Sequence, residues 1–176
     1  QTMVNMDVAS RATLVDRRVF WVLDDTFGQV LTDPLQPDVS SNRGDANVFR
    51  TGPDFVFRFG DQTLLEASAR YENSYFETTD IDGSSVSGNL GLYRVLGSSD
   101  TLGARLEFSD FSPKSPARPD YSVARALGRW ERRTGVNLAV AEAGVGRIRA
   151  VGATTSGPVG TLMLNKSLRP SLVLEA

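Results

Sequence analysis

The chain has 176 residues, 19 basic against 21 acidic, a formal net charge of −2 and a hydrophobic fraction of 40%. This size suits one domain, or part of a larger one, and the interspersed charges leave no polybasic footprint for nucleic acid. Cysteine and histidine are both absent, which excludes disulfides, thiolate metal sites, His-based general bases, Ser-His-Asp triads and the common zinc constellations.

Helix signals are poor, and no apolar run approaches the ~20 residues of a spanning helix. Taken in chain order, "QTMVNMDVAS" carries neither a secretory signal nor the start of a strand. "RATLVDRRVFWVLDD" (Arg11 to Asp25) reads as one long strand, and Pro34 to Asn47 as a loop rich in Pro, Ser, Asn and Asp. "PDFVFRF" is a short strand with Phe55, Phe57 and Phe59 on one face, followed by a tight turn at Gly60 to Gln62.

The stretch "LLEASARYENSYFE" carries the clearest pattern. Leu65, Ala67, Ala69, Tyr71 and Tyr75 alternate with Glu66, Ser68, Arg70, Glu72 and Ser74, so one strand face is apolar and the other charged. The run is more than twice as long as the ~5–6 residues usual for a strand. After the polar loop Thr78 to Ser85, "VSGNLGLYRV" sets Val86, Gly88, Leu90 and Leu92 on one face. Beyond the turn at Gly97 to Asp100, Leu102, Ala104, Leu106 and Phe108 oppose Thr101, Gly103, Arg105, Glu107 and Ser109. "SPKSPARPD" is a long loop, "YSVARALGRWE" a strand, "RRTG" a tight turn and "VNLAVAEA" another strand. "GVGRIRAVGATTSGP" (Gly144 to Pro158) is expected to hold a long loop, and "VGTLMLNKSL" with "SLVLEA" to form a hairpin about Arg169 and Pro170.

The expected fold class is therefore all-β: an antiparallel meander of long hairpins, forming a transmembrane outer-membrane β-barrel or an open fragment of one. Long strands with one charged and one apolar face, joined by turns that alternate short and long, suit such barrels. Tyr75 and Phe108 fall near long-loop ends of the apolar faces and Trp130 near a short-turn end, the heights of interfacial belts. Lipid-facing or girdle candidates are Leu65, Ala67, Ala69, Tyr71, Tyr75, Leu102, Leu106, Phe108 and Trp130. Lumen-facing candidates are Glu66, Arg70, Glu72, Arg105, Glu107, Arg125, Arg129 and Glu131, whose mixed signs suit cross-strand pairing or a polar path for a hydrated solute. Tyr93, Phe76, Phe111 and Tyr121 fall on the charged side, and Arg125 leaves the parity of its strand open. The same alternation also suits a soluble sandwich or barrel whose apolar face packs on a second sheet.

Several short motifs point elsewhere only weakly. Arg43-Gly44-Asp45 lies in the expected loop and is read as chance. Asn165-Lys166-Ser167 fits a glycosylation sequon but sits on an expected strand. Asp80 to Gly83 lacks the later carboxylates of a calcium loop and reads as a turn. No catalytic residue, metal ligand or cofactor is expected.

The segments "VFWVLDDTFGQVLTDPLQP" and "NVFRTGPDFVFRFGDQTLLEASARYENSYFE", with the hairpin rhythm that follows, resemble the outer-membrane β-barrel proteins of the beta-barrel porin 2 type. These are associated with exopolysaccharide gene clusters of Gram-negative bacteria. The resemblance covers the chain from about Ala12 onward, and its specific part is the "DD-x-FGQ" and "TGPDF…RFGD" segments. It implies an outer-membrane location, a passive pore or scaffold in exopolysaccharide export or assembly, and no catalytic residue. Outer-membrane lipid is then the expected partner, with polysaccharide or export-machinery proteins beside it and no nucleic acid. The alternatives are a soluble all-β carbohydrate-binding or adhesion module, and an enzyme using carboxylates such as Glu66, Glu72 and Glu107. Residues 1–176 are expected to form a single barrel domain, incomplete at both ends. As an open, curved sheet it would have no ladder between the strand of Val19 to Leu23 and that of Leu172 to Leu174.

Overall fold

The computed structural model describes residues 5–31, 43–77, 82–115, 117–135 and 137–165. They form nine strands in one antiparallel sheet whose spatial order follows the chain. The strands are β1 (Met6–Val15), β2 (Val19–Leu31), β3 (Arg43–Phe59), β4 (Thr63–Phe76) and β5 (Gly83–Leu96), followed by β6 (Asp100–Pro113), β7 (Tyr121–Thr134), β8 (Asn137–Ala150) and β9 (Ala153–Asn165). The fold is all-β, a meander of long hairpins. Among the described residues β1 and β9 are the sheet's two edges, and no ladder joins them.

The first expected strand is in fact a hairpin. Asp16, Arg17 and Arg18 interrupt the alternation, and three consecutive charged side chains cannot keep one face apolar. Arg17 takes a left-handed backbone (φ 57°), and the Arg18 amide donates to the Val15 carbonyl at 3.0 Å. Val19 to Leu23 therefore lies inside the sheet, paired to both β1 and β3, and a strand does begin at Met6. Leu172 to Leu174 and the hairpin expected about Arg169 lie outside the described residues.

Further boundaries differ. Ser112 and Pro113, expected in a loop, close β6 by pairing with Ser84 and Gly83, and Arg132 to Thr134, expected in a tight turn, extend β7 through their register with Ala139 to Asn137. Arg43 to Asn47, expected in a loop, opens β3 through its register with Leu31 to Phe27. Its polar residues find partners there: the Asp45 carboxylate accepts from Gln29 Nε2 at 3.2 Å and the Asn47 amide donates to Asp25 at 2.9 Å. Arg43-Gly44-Asp45 is thus strand. Gly83 to Ser85 belong to β5 rather than to the preceding loop, and the Asp82 carboxylate accepts from the Phe76 amide at 2.6 Å as the hairpin closes. Gly144 to Pro158 holds no long loop. It is the end of β8, a two-residue turn at Val151 and Gly152 (φ 77°), and the start of β9. Its glycines mark close backbone approach rather than a loop: a Cβ on Gly144 would collide with the Ala126 carbonyl of β7.

Connections consequently alternate short and long from β1 through β8, and the β8–β9 turn breaks the rhythm by being short at the long-loop end. Two prolines in strand interiors are accommodated locally, while Pro113 is the last residue of β6. The β3–β4 ladder skips Gly52 and Pro53, and the Pro53 carbonyl instead accepts from Arg70 Nη1 at 2.9 Å. Pro158 sits in β9, an edge among the described residues, where a missing N–H costs no ladder bond on the open side.

Among the described residues there is almost no apolar core. Ala46, Leu127 and Val140 are the buried hydrophobic residues. They share one face with every other buried position, namely Gly44, Gly52, Gly83 and Gly91. The opposite face has no second layer on it among the described residues. One crowded face and one bare face, without a second layer, mean that the sheet curls around the crowded side.

Candidate functional site: a charged face and an apolar face

Cross-strand register fixes which side chains share a face, because directly opposed residues point the same way. One row of opposed residues runs Val19, Phe55, Ala67, Leu90, Leu106, Ala126, Val145 and Pro158 across β2 to β9. Rows on either side of it add Trp21, Phe57, Leu65, Ala69, Tyr71, Val86, Leu92, Leu102, Phe108 and Leu162. From β2 to β9 this face carries no charge until its rims. Asp25, Asp110, Arg147 and Arg149 stand at the long-loop rim and Arg94, Asp100 and Arg132 at the short-turn rim.

Its large side chains are bare: Tyr71 is 43% exposed, Leu92 51%, Leu106 54% and Val145 63%. The belt between rims has a height that can be compared with a bilayer. The interval Asp100 to Asp110 is ~33 Å of strand at ~3.3 Å per residue, or ~25 Å once tilted by ~40°, the height of the apolar band on membrane barrels. The long-loop boundary also steps along the strands across the sheet, lying at Asp25 on β2, Asp110 on β6 and Arg147 on β8. A level belt crossing inclined strands produces such steps.

Aromatic residues sit at both rims of this face. Near the short turns, Trp21 Nε1 donates to Thr51 Oγ1 at 2.8 Å and Trp130 Nε1 to Asp100 at 3.1 Å. Asp100 also pairs with Arg132 at 3.2 Å. Tyr75 lies near the long-loop end of β4, with the Lys114 ammonium 5.9 Å from its ring centre. Indole N–H groups satisfied at one edge of an apolar band, and a tyrosine ring at the other, suit an interface between hydrocarbon and water.

The other face holds the charges. Arg125, Glu107, Arg105, Glu142, Arg129, Glu131 and Arg133 form one alternating relay over β6, β7 and β8, with contacts of 3.4, 3.0, 3.0, 2.9, 2.8 and 3.3 Å in that order. Glu142 is its hub. Its two oxygens accept separately from Arg105 and Arg129, and its side chain is only 11% exposed. A second group lies over β1, β3 and β4, where Asp54 pairs with Arg70 and, at 3.9 Å, with Arg11, while Arg50 meets Glu72 at 2.7 Å. Between the two groups lie Ser68, Ser87, Asn89 and Ser109, polar and uncharged.

Comparison with protein-family models, curated proteins and solved structures returned no match.

All eight charged residues singled out from sequence lie on this second face: Glu66, Arg70, Glu72, Arg105, Glu107, Arg125, Arg129 and Glu131. The nine apolar and aromatic ones lie on the first. Arg125 settles the parity of β7, since it opposes Glu107 on the charged face while Trp130 opposes Leu102 on the other. Seven of the eight enter ion pairs; Glu66 has no such partner among the described residues. Sequence reasoning missed Glu142, Asp54, Arg50, Arg11 and Arg133. Glu142 alternates with Ala141 and Ala143, and that period-two pattern is the signal that could have found it.

The aromatics on the charged side also find a reason. Tyr93 lies over Gly91 and Gly103, and a Cβ on either glycine would run into its ring; Phe111 covers Gly83 in the same way. These rings fill space that glycine leaves beside the ladder. Phe111 further packs on Tyr121 with ring centres 5.2 Å apart.

Proposed function

We propose that this sheet is the wall of a transmembrane β-barrel in an outer membrane, with its apolar face toward lipid and its charged face toward a hydrated interior. The observation that carries this reading is the uncharged belt crossing eight neighbouring strands, bare of any second layer and bounded by charges and aromatic rings at both rims. A soluble domain of this size would hide such a surface, since contiguous exposed apolar patches beyond a few hundred Å² are rare on monomers. The relay on the opposite face supports the same assignment. Mixed charges need water or one another, and a wet interior supplies the first while cross-strand pairing supplies the second.

The barrel's role in exopolysaccharide export or assembly, as a passive pore or scaffold, rests on the sequence resemblance alone. The uncharged groups between the two ion-pair clusters are compatible with it, since a neutral saccharide is met by hydroxyl and amide walls rather than by net charge. Fractionation of cells expressing the protein tests the location: it is expected in the detergent-extracted outer-membrane fraction. Recovery in the soluble periplasm without detergent would remove the membrane reading and favour a soluble all-β carbohydrate-binding module. Loss of secreted polysaccharide on deletion of the gene, restored by the intact protein, tests the role.

A further inference from the structure

On the apolar face a groove of about 440 Å³ crosses β6 to β9, with Leu106 and Val145 as its walls, Ala124 and Ala126 as its floor, and Arg147 and Ser156 at one end. The end that Arg147 closes is the long-loop rim, and Arg149 stands on the same face one pleat further out, ~7 Å along the strand. Both arginines are exposed, and neither enters any ion pair among the described residues. They differ in this from Arg132 at the opposite rim, which Asp100 engages. On the ladder row of Arg149 the nearest acid is Asp110 of β6, with Ser122 of β7 between them.

We propose that this groove binds one acyl chain of an anionic lipid and that Arg147 and Arg149 hold its phosphate. The proposal rests on the reading that this face meets lipid. Hydrocarbon fits the walls and floor, whose exposed surface is almost wholly apolar although Glu107 and Arg125, which point to the opposite face, also border it. A guanidinium at the upper end presents paired donors to phosphate oxygens, and two cations without ion-pair partners among the described residues leave a positive site where the belt ends. The anionic headgroup supplies a counter-charge that neither arginine finds among the described residues.

Native mass spectrometry of the detergent-solubilised protein, incubated with phosphatidylglycerol or phosphatidylcholine, tests the site. Two surface arginines should favour phosphatidylglycerol by roughly tenfold or more. The Arg147→Gln/Arg149→Gln double variant should lose that preference while still taking up lipid of either kind. Arg94→Gln, at the other rim of the same face, should retain it. An unchanged preference in the double variant, or an equal loss in Arg94→Gln, overturns the proposal, as does displacement of the lipid by inorganic phosphate alone. Failure of the membrane reading looks different: the protein would stay soluble without detergent and take up neither lipid.

Discussion

At the scale of single residues, the two faces differ most sharply between neighbours. Ala67 lies in the middle row of the apolar belt, between Phe55 and Leu90, whereas Ser68 faces the charged side between Asp54 and Asn89. Ala67→Arg should therefore impair assembly in lipid, with a cost of about 2–4 kcal/mol for an arginine near a bilayer midplane. Ser68→Arg, one residue along, should cost little because its guanidinium can reach Glu66 or Asp54 in a wet interior. Urea titration of both variants refolded into vesicles checks this, and equal midpoints would show the facing assignment to be wrong. The same alternation explains why glycine and large rings coexist at Gly91, Tyr93 and Gly103. The ring needs an open backbone beside it, and the strand needs the ring to cover that backbone.

At the scale of elements, the charge relay staples β6, β7 and β8. Glu142 is half of two ion pairs and the least exposed of the acids in it, so Glu142→Gln leaves Arg105 and Arg129 competing for the remaining carboxylates. The expected loss is ~1–3 kcal/mol, typical for hydrogen bonds to charged groups and for a partner left unsatisfied. Asp16→Asn provides the contrast. Its pair with Arg17 sits in the first turn, with both side chains about nine-tenths exposed (88% and 92%), where an ion pair contributes close to nothing. Denaturation midpoints of the two variants in the same lipid should differ accordingly. A Glu142→Gln protein as stable as Asp16→Asn would mean that the relay is incidental to the sheet. The strands themselves need this kind of bonding because they have almost no core to pack against.

At the scale of the whole molecule, the chain's two tryptophans report on orientation. Trp21 and Trp130 both project from the apolar face near its short-turn rim, so both belong at one interface. After reconstitution, lipids brominated close to the headgroup should quench their fluorescence more than lipids brominated near the chain ends. Acrylamide added to the aqueous phase should lose much of its access relative to the protein in urea. Equal quenching by acrylamide in vesicles and in urea would place the apolar face in water. Nine antiparallel strands in chain order leave β1 and β9 running in the same direction. Direct pairing of those two edges would be parallel, so an all-antiparallel barrel containing them needs an odd number of further strands.

The alternation of side chains made the face assignments legible from sequence. Period two is a property of the strand backbone, and Leu65 to Tyr75 or Leu102 to Phe108 carries it without help from the rest of the fold. Tight turns with glycine, at Gly60, Gly97 and Gly135, were legible for the same local reason, since each adopts a positive φ that side chains disfavour. Where local signals competed, only the tertiary structure decided. The turn at Arg17 uses no glycine, the polar start of β3 is strand because β2 supplies its partners, and Gly144 and Gly146 resemble a loop until β7 and β9 press against them. The ion pairs were equally beyond reach, because which arginine meets which glutamate depends on the stagger between strands. Alternation alone gives a side chain its face; register gives it a neighbour.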